Sequence, residues 1–172
     1  MRLFITGMKH SGKSSFAPMV ASRLGLPCAD SDELLGQLTG GRSVRDFYAQ
    51  EGKEAFMAAE YAAVAAYIGQ TDSFVLALGG GAADNARLMD LMASSGTIVY
   101  LRRAEDDLLE RVLSKGIPPF LDKDDVPGSW KRIFNRREEV YLKAADIVVE
   151  LGPYGDKAEA LETIMHSLED II

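Results

Sequence analysis

The chain has 172 residues, 47% hydrophobic and 26% charged, enough for one globular domain that buries roughly 70% of its extended surface. Its 19 basic and 26 acidic residues leave a net charge of −7, which excludes the broad basic footprint that nucleic acid or an anionic membrane would need. Any small anionic ligand must be caught by a few placed cations. The single cysteine, Cys28, excludes an internal disulfide framework and fits a reducing cytoplasm. Between Pro27 and Ala29 it reads as a small buried side chain. No apolar stretch approaches the roughly 18 residues of a membrane span, and a strand starting at residue 2 leaves no expected room for a signal peptide.

In chain order, Arg2–Thr6 reads as a strand. Gly7 to Ser14 follows at once as GMKHSGKS, a complete G-x-x-x-x-G-K-[ST] loop opening onto a helix over Lys13–Leu24. Strand, glycine turn and helix N-terminus are the context in which backbone N–H groups and the helix dipole cradle phosphates. The nucleotide-binding candidates are therefore Gly7, Lys9, His10, Ser11, Gly12, Lys13, Ser14 and Ser15. Lys13 is placed to reach the β- and γ-phosphates and Ser14 to sit on Mg²⁺. His10 reads as loop filler and His166 as a surface residue. The motif implies a nucleoside triphosphate.

Pro27–Asp30 reads as a short second strand, then helices over Ser31–Thr39, Val44–Gln50 and Lys53–Ile68 with no strand between them. This helical insertion, about residues 31–69, suggests a small acceptor-binding lobe. Asp30 and Asp32 stand at the carboxyl end of the second strand, where ligands of open α/β sheets sit. Phosphoryl transfer to a hydroxyl needs one carboxylate in the Mg²⁺ shell and one to orient or deprotonate the acceptor. The plainer alternative is that Asp30 or Ser31 only caps the next helix.

The strand Ser73–Leu78 ends in Gly79, Gly80 and Gly81, more glycine than a turn needs, which favours ligand contact over simple flexibility. A helix over Asn85–Ala93, a strand over Thr97–Leu101 and a helix over Ala104–Leu113 follow. Residues 114–128 form a loop of turn formers and charges, long enough to be a lid that keeps water from a γ-phosphate. The helix Ser129–Ala144 carries Arg132, Arg136 and Arg137, one of which could meet a substrate anion. The strand Asp146–Leu151 and the helix Lys157–Ile171 complete the chain. Nearly continuous apolar strands alternating with helices predict a single three-layer α/β/α domain over 1–172, with five parallel strands and right-handed crossovers.

These pieces, in this order, resemble the shikimate kinase family over essentially the whole chain. The resemblance rests on the phosphate loop, Asp30-Ser31-Asp32, Thr39-Gly40 with Ser43 to Tyr48, Gly52 to Glu60 with Phe56 at its centre, Gly79–Gly81, Ile117 to Phe120, and Arg137 to Tyr141. It implies a three-layer α/β/α P-loop kinase fold and ATP- and Mg²⁺-dependent phosphorylation of shikimate at its 3-hydroxyl by a cytoplasmic enzyme acting as a monomer. It also implies Ser14 and Asp30 at the metal, Lys13 and Asp32 in catalysis, and Arg111 against the adenine. Asp32, Tyr48, Phe56, Met57, Gly79, Gly80, Gly81 and Arg137 would face the substrate.

The departures cluster in the acceptor site and lid. Met57 stands where the family has one of two carboxylate-holding arginines, and Ile117 where it has a lid arginine. Ala77, Glu139, Lys9 and His10 also depart from the pattern. Lys9 or Arg45 could replace the missing charge. The alternatives are a related kinase acting on a different small hydroxylated acceptor, and a catalytically weak nucleotide-binding regulatory homologue.

Overall fold

The computed structural model describes residues 1–114 and 116–172; Lys115, inside the expected lid, lies outside the described residues. The strands are β1 (Arg2–Thr6), β2 (Cys28–Asp30), β3 (Phe74–Ala77), β4 (Thr97–Arg102) and β5 (Ile147–Glu150). All pairs are parallel, in the order β2-β3-β1-β4-β5. Register is fixed by apolar pairs such as Phe4 with Leu76 and with Ile98. The helices are α1 (Lys13–Leu24), α2 (Ser31–Leu38), α3 (Val44–Gln70), α4 (Ala86–Ser95), α5 (Glu105–Leu113), α6 (Val126–Ala144) and α7 (Lys157–Ser167).

The strand period of two sends alternate side chains to opposite faces and so builds two cores. Leu3, Ile5, Val75, Val99 and Val149 pack beneath Phe16, Val20, Leu161 and Ile164 of α1 and α7. On the other face Phe4, Leu76, Ile98 and Tyr100 meet Val64, Leu88, Met92, Leu108, Trp130, Phe134 and Tyr141 from α3 to α6. Trp130 is 2% exposed and stacks on Phe134 at 6.1 Å, in the same cluster as Leu121. Each such fully buried side chain contributes about 1.5–3 kcal/mol relative to exposure. This is the three-layer α/β/α arrangement expected from the sequence.

Local chemistry explains the boundaries. The two helices expected at 44–50 and 53–68 are one element interrupted at Gly52, whose φ of 82° breaks the helical path. Asn85 is the cap of α4, accepting from the Leu88 N–H, and not its first residue. Helix α6 starts at Val126, earlier than expected, because the Asp125 carboxylate accepts from the Gly128 N–H and Pro127 suits a first turn. The last helix stops at Ser167 and a 3₁₀ turn, Glu169–Ile171, follows. Cys28 is exposed, not buried, because β2 is a short edge strand. No helix among the described residues is long and apolar enough to cross a membrane.

Candidate active site

The central strand β1 delivers its carboxyl end at the point where the chain turns toward β2 and β3 on one side and β4 and β5 on the other. That is the crevice where parallel sheets bind ligands. The loop after β1 needs both its glycines. A Cβ on Gly7 (φ 148°) would lie 2.6 Å from Ser11 Oγ and 2.7 Å from the Leu101 carbonyl, and one on Gly12 (φ 108°) 2.7 Å from the Phe16 ring. His10 adopts a left-handed φ of 67°, and its carbonyl accepts from the Tyr154 hydroxyl at 2.9 Å. It is a pinned part of the loop and not filler. Ser15 is exposed, and its N–H donates to the Gly12 carbonyl as α1 begins.

Lys13 is 6% exposed, and its Nζ donates to the Met8 carbonyl at 2.7 Å. Burial lowers its pKa to about 8, although Asp32 and Asp30 pull the other way. Ser11 is fully buried and its hydroxyl has no partner. An orphaned donor, a buried cation and a backbone cradle that any Cβ would fill fit a polyphosphate. Ser14 Oγ donates to Asp30 Oδ2 at 2.9 Å, while Asp30 Oδ1 accepts from the Asp32 N–H at 2.9 Å. Asp30 is therefore both helix cap and site residue, so the two sequence alternatives are both realised. Among the described residues no three His, Cys, Asp or Glu side chains converge on a metal position. The fit for Mg²⁺ is thus Ser14 and Asp30 alone, completed by phosphate oxygens and water, as that ion prefers.

Asp32 opens α2 beside the triple glycine: a Cβ on Gly79 would lie 3.0 Å from its Oδ1. Although Asp32 keeps an accessible edge, burial and then the Asp30 charge raise its pKa, with Lys13 and Lys9 opposing. The glycines have packing reasons beyond ligand access. The Gly79 N–H donates to Ser31 Oγ at 2.9 Å, and a Cβ on Gly80 would lie 2.8 Å from the Lys9 backbone nitrogen. The Gly80 carbonyl accepts from Arg137 at 3.2 Å and from the Tyr141 hydroxyl at 3.3 Å, and Gly81 lies against the Arg137 guanidinium.

Around this crevice, Lys9 is exposed with its Nζ 5.5 Å from the Phe120 ring centre. Tyr48 and Phe56 meet edge to face at 5.4 Å. The Met57 carbonyl accepts from Asn85 Nδ2, which also donates to Glu60 Oε2 at 2.9 Å. Arg45 is exposed on the first turns of α3. In the lid segment Ile117 is 45% and Phe120 38% exposed, while Leu121 is buried. Arg132 pairs with Asp125 at the end of segment 114–128, and Arg136 with Asp84, so both guanidinium groups are already engaged.

A cavity of about 690 Å³ runs from His10–Phe16 past Arg103 and Arg111 to the loop after β5. Arg111 lines it, but its guanidinium lies 4.2 Å from the Tyr154 ring centre, with Arg103 at 4.3 Å from the same ring. Sequence reasoning missed Arg103, Tyr154, Asp84 and the Glu60–Asn85 pair. Arg103 is 6% exposed and holds the phosphate loop by donating to the Ser11 carbonyl at 3.1 Å. Only the size of the cavity-side residues and the arginine pair after β4 could have signalled it.

The fold and the phosphate cradle define a P-loop phosphotransferase. Comparison with known proteins narrows this. A shikimate kinase family model matches residues 9–169. The shikimate kinase of Chlorobaculum tepidum is 33% identical over 155 residues, covering 86% of this chain and 80% of its own. That of Cupriavidus pinatubonensis is 34% identical over 150 residues, covering 87% and 77%. Among solved structures, shikimate kinase from Aquifex aeolicus superposes with a TM-score of 0.82 at 26% identity, covering 98% of this chain and 96% of that one. The Acinetobacter baumannii enzyme in complex with shikimate gives 0.84 at 22% identity, over 99% and 94%, a likeness of fold. The chain belongs to the shikimate kinase family.

Proposed function

We propose that the protein transfers the γ-phosphoryl group of ATP to a hydroxyl of shikimate, with Mg²⁺, as its family membership supports. The observation that carries the reading is Asp32 placed beside Gly79 and under the influence of Lys13 and Lys9, at the mouth of the phosphate cradle. The loop N–H groups, Ser11, Ser15 and Lys13 bind the phosphates, and Arg111 serves the base once Tyr154 yields its face. Ser14 and Asp30 would hold Mg²⁺, which would supply positive charge to the phosphates during transfer. Asp32 accepts the proton of the acceptor hydroxyl as its oxygen bonds to the γ-phosphorus, and the bond from that phosphorus to the β-bridging oxygen breaks to release ADP.

The acceptor is bounded by Gly79, Gly80, Gly81 and Arg137, with Tyr48, Phe56 and Met57 from the 31–69 region. Segment 114–128 closes over it, its exposed Ile117 and Phe120 excluding water from the transfer. The protein acts as a monomer within a single 1–172 domain. The one cysteine supports a cytoplasmic setting, and the net charge of −7 argues against nucleic acid or membrane partners. The test is ADP release from Mg·ATP with shikimate, gluconate and nucleoside monophosphates. Release driven by gluconate or a nucleotide, and not by shikimate, would move the acceptor assignment.

The pH profile follows from the two shifted groups. Asp32 must be ionised to take a proton, and its raised pKa moves the acid limb of kcat/KM above the ordinary carboxylate range. Lys13 must be charged to meet phosphate, so kcat/KM for ATP should fall as pH rises through about 8. In the ternary complex the phosphates stabilise the ammonium, so the basic limb of kcat should lie higher. A flat profile of kcat/KM between the carboxylate range and the lysine range on both limbs would contradict this assignment.

A further inference from the structure

Arg137 does not stand free at the triple glycine. Its Nε and Nη2 both donate to Asp84 Oδ2, at 3.2 and 2.8 Å, and its Nη1 donates to the Gly80 carbonyl at 3.2 Å. Three of the five N–H groups of the guanidinium are spent, including the side-on fork that grips a carboxylate. Asp84 Oδ1 accepts from Arg136 at 2.9 Å, so one carboxylate engages both neighbouring arginines and the cluster keeps one net positive charge. The pair is held firmly: the side chains of Arg137 and Asp84 are 16% and 19% exposed. Burial opposes the charge on Asp84, yet the hydrogen bonds and charge of Arg137, then Arg136, keep its pKa below the usual range.

Two more carboxylates face the triple glycine. Glu60 is 3% exposed and accepts from the neutral amide of Asn85. A Cβ on Gly79 would lie 3.7 Å from Glu60 Oε1 and 3.0 Å from Asp32 Oδ1, the latter also within the influence of Lys13 and Lys9. Helix α3 places Met57, an uncharged side chain, one turn before Glu60. An acceptor carboxylate entering this pocket must compete with Asp84 for the fork it needs.

We propose that Asp84 is a counter-ion built into the acceptor site, which holds the fork of Arg137 and so lowers the enzyme's preference for a carboxylate-bearing acceptor over its uncharged ester. The inference rests on the reading of Arg137 as the acceptor's anion partner. A free fork would be worth a hydrogen bond to a charged group, roughly a 10- to 150-fold preference for the acid. With the fork occupied, most of that preference disappears, and hydroxylated cyclic acceptors lacking a charge become usable substrates.

The experiment compares kcat/KM for shikimate and shikimate methyl ester in the wild type, Asp84→Asn and Asp84→Ala, with thermal melting of each. The wild-type ratio of acid over ester should lie below about 10, and either variant should raise it about tenfold or more through a lower KM for the acid. A wild-type ratio above about 100 would overturn the proposal without any variant. So would an unchanged or lower ratio in a folded variant that still turns over shikimate. Failure of all three proteins to release ADP with either compound would instead remove the acceptor reading, and the proposal with it.

Discussion

Lys13→Met should lose at least about 10³-fold in kcat, because its ammonium meets the charge that spreads over the transferring phosphoryl group. The structure makes this substitution unusually clean. Lys13 is buried, its Nζ donates to the Met8 carbonyl, and its pKa is depressed from 10.5 to about 8. That depression means the folded state holds the ammonium less readily than the unfolded chain, at a cost of about 3 kcal/mol. The cost is fully present below pH 8, where both states are protonated. It is relieved between pH 8 and 10.5, where the native state binds fewer protons and stability rises with pH. The methionine protein should therefore melt no lower than the wild type at neutral pH while being inactive. Calorimetry beside a coupled ADP assay checks both halves, and near-wild-type turnover would remove Lys13 from the mechanism.

Asp32→Asn should reduce kcat by about 10²–10⁴-fold, the usual range for loss of a general base. ATP affinity should change far less, because the amide keeps the shape beside Gly79 and the first-turn N–H of Asp32 still bonds to Asp30. The two aspartates are separable in this way only because their roles differ. Asp30 carries the cap of α2 and the Ser14 bond, so its asparagine variant would disturb fold and metal together. Normal turnover by Asp32→Asn would reduce Asp32 to a surface residue near the site.

The sequence was legible where the determinants are local. The four longer strands lie within a residue or so of their apolar runs, and the glycine loop is specified by eight consecutive residues. The break at Gly52 was also visible, since a glycine separates two helical patterns. What stayed hidden joins residues that only the sheet order brings together: Ser31 to Gly79, Arg103 to Ser11, Arg137 to Asp84, and Tyr154 to Arg111. Cys28 was misread for the same reason, because its neighbours in sequence do not say that β2 is an edge. The triple glycine was read as a ligand surface, whereas at Gly80 the close approach of the Lys9 backbone already demands the missing side chain.

Trp130, the chain's only tryptophan, sits on the first turns of α6 directly after the segment proposed as a lid. Its ring is wrapped by Phe134 and shares a core cluster with Leu121 at the root of that segment, and its Nε1 is buried without a partner. Indole emission shifts with the polarity around the ring and with access of water to that nitrogen. Any rearrangement of Leu121 on closure would therefore be written into a single spectral band, with no competing tryptophan signal. The protein thus carries its own unlabelled optical gauge for testing that proposed motion, suited to rapid-mixing measurements on the native chain.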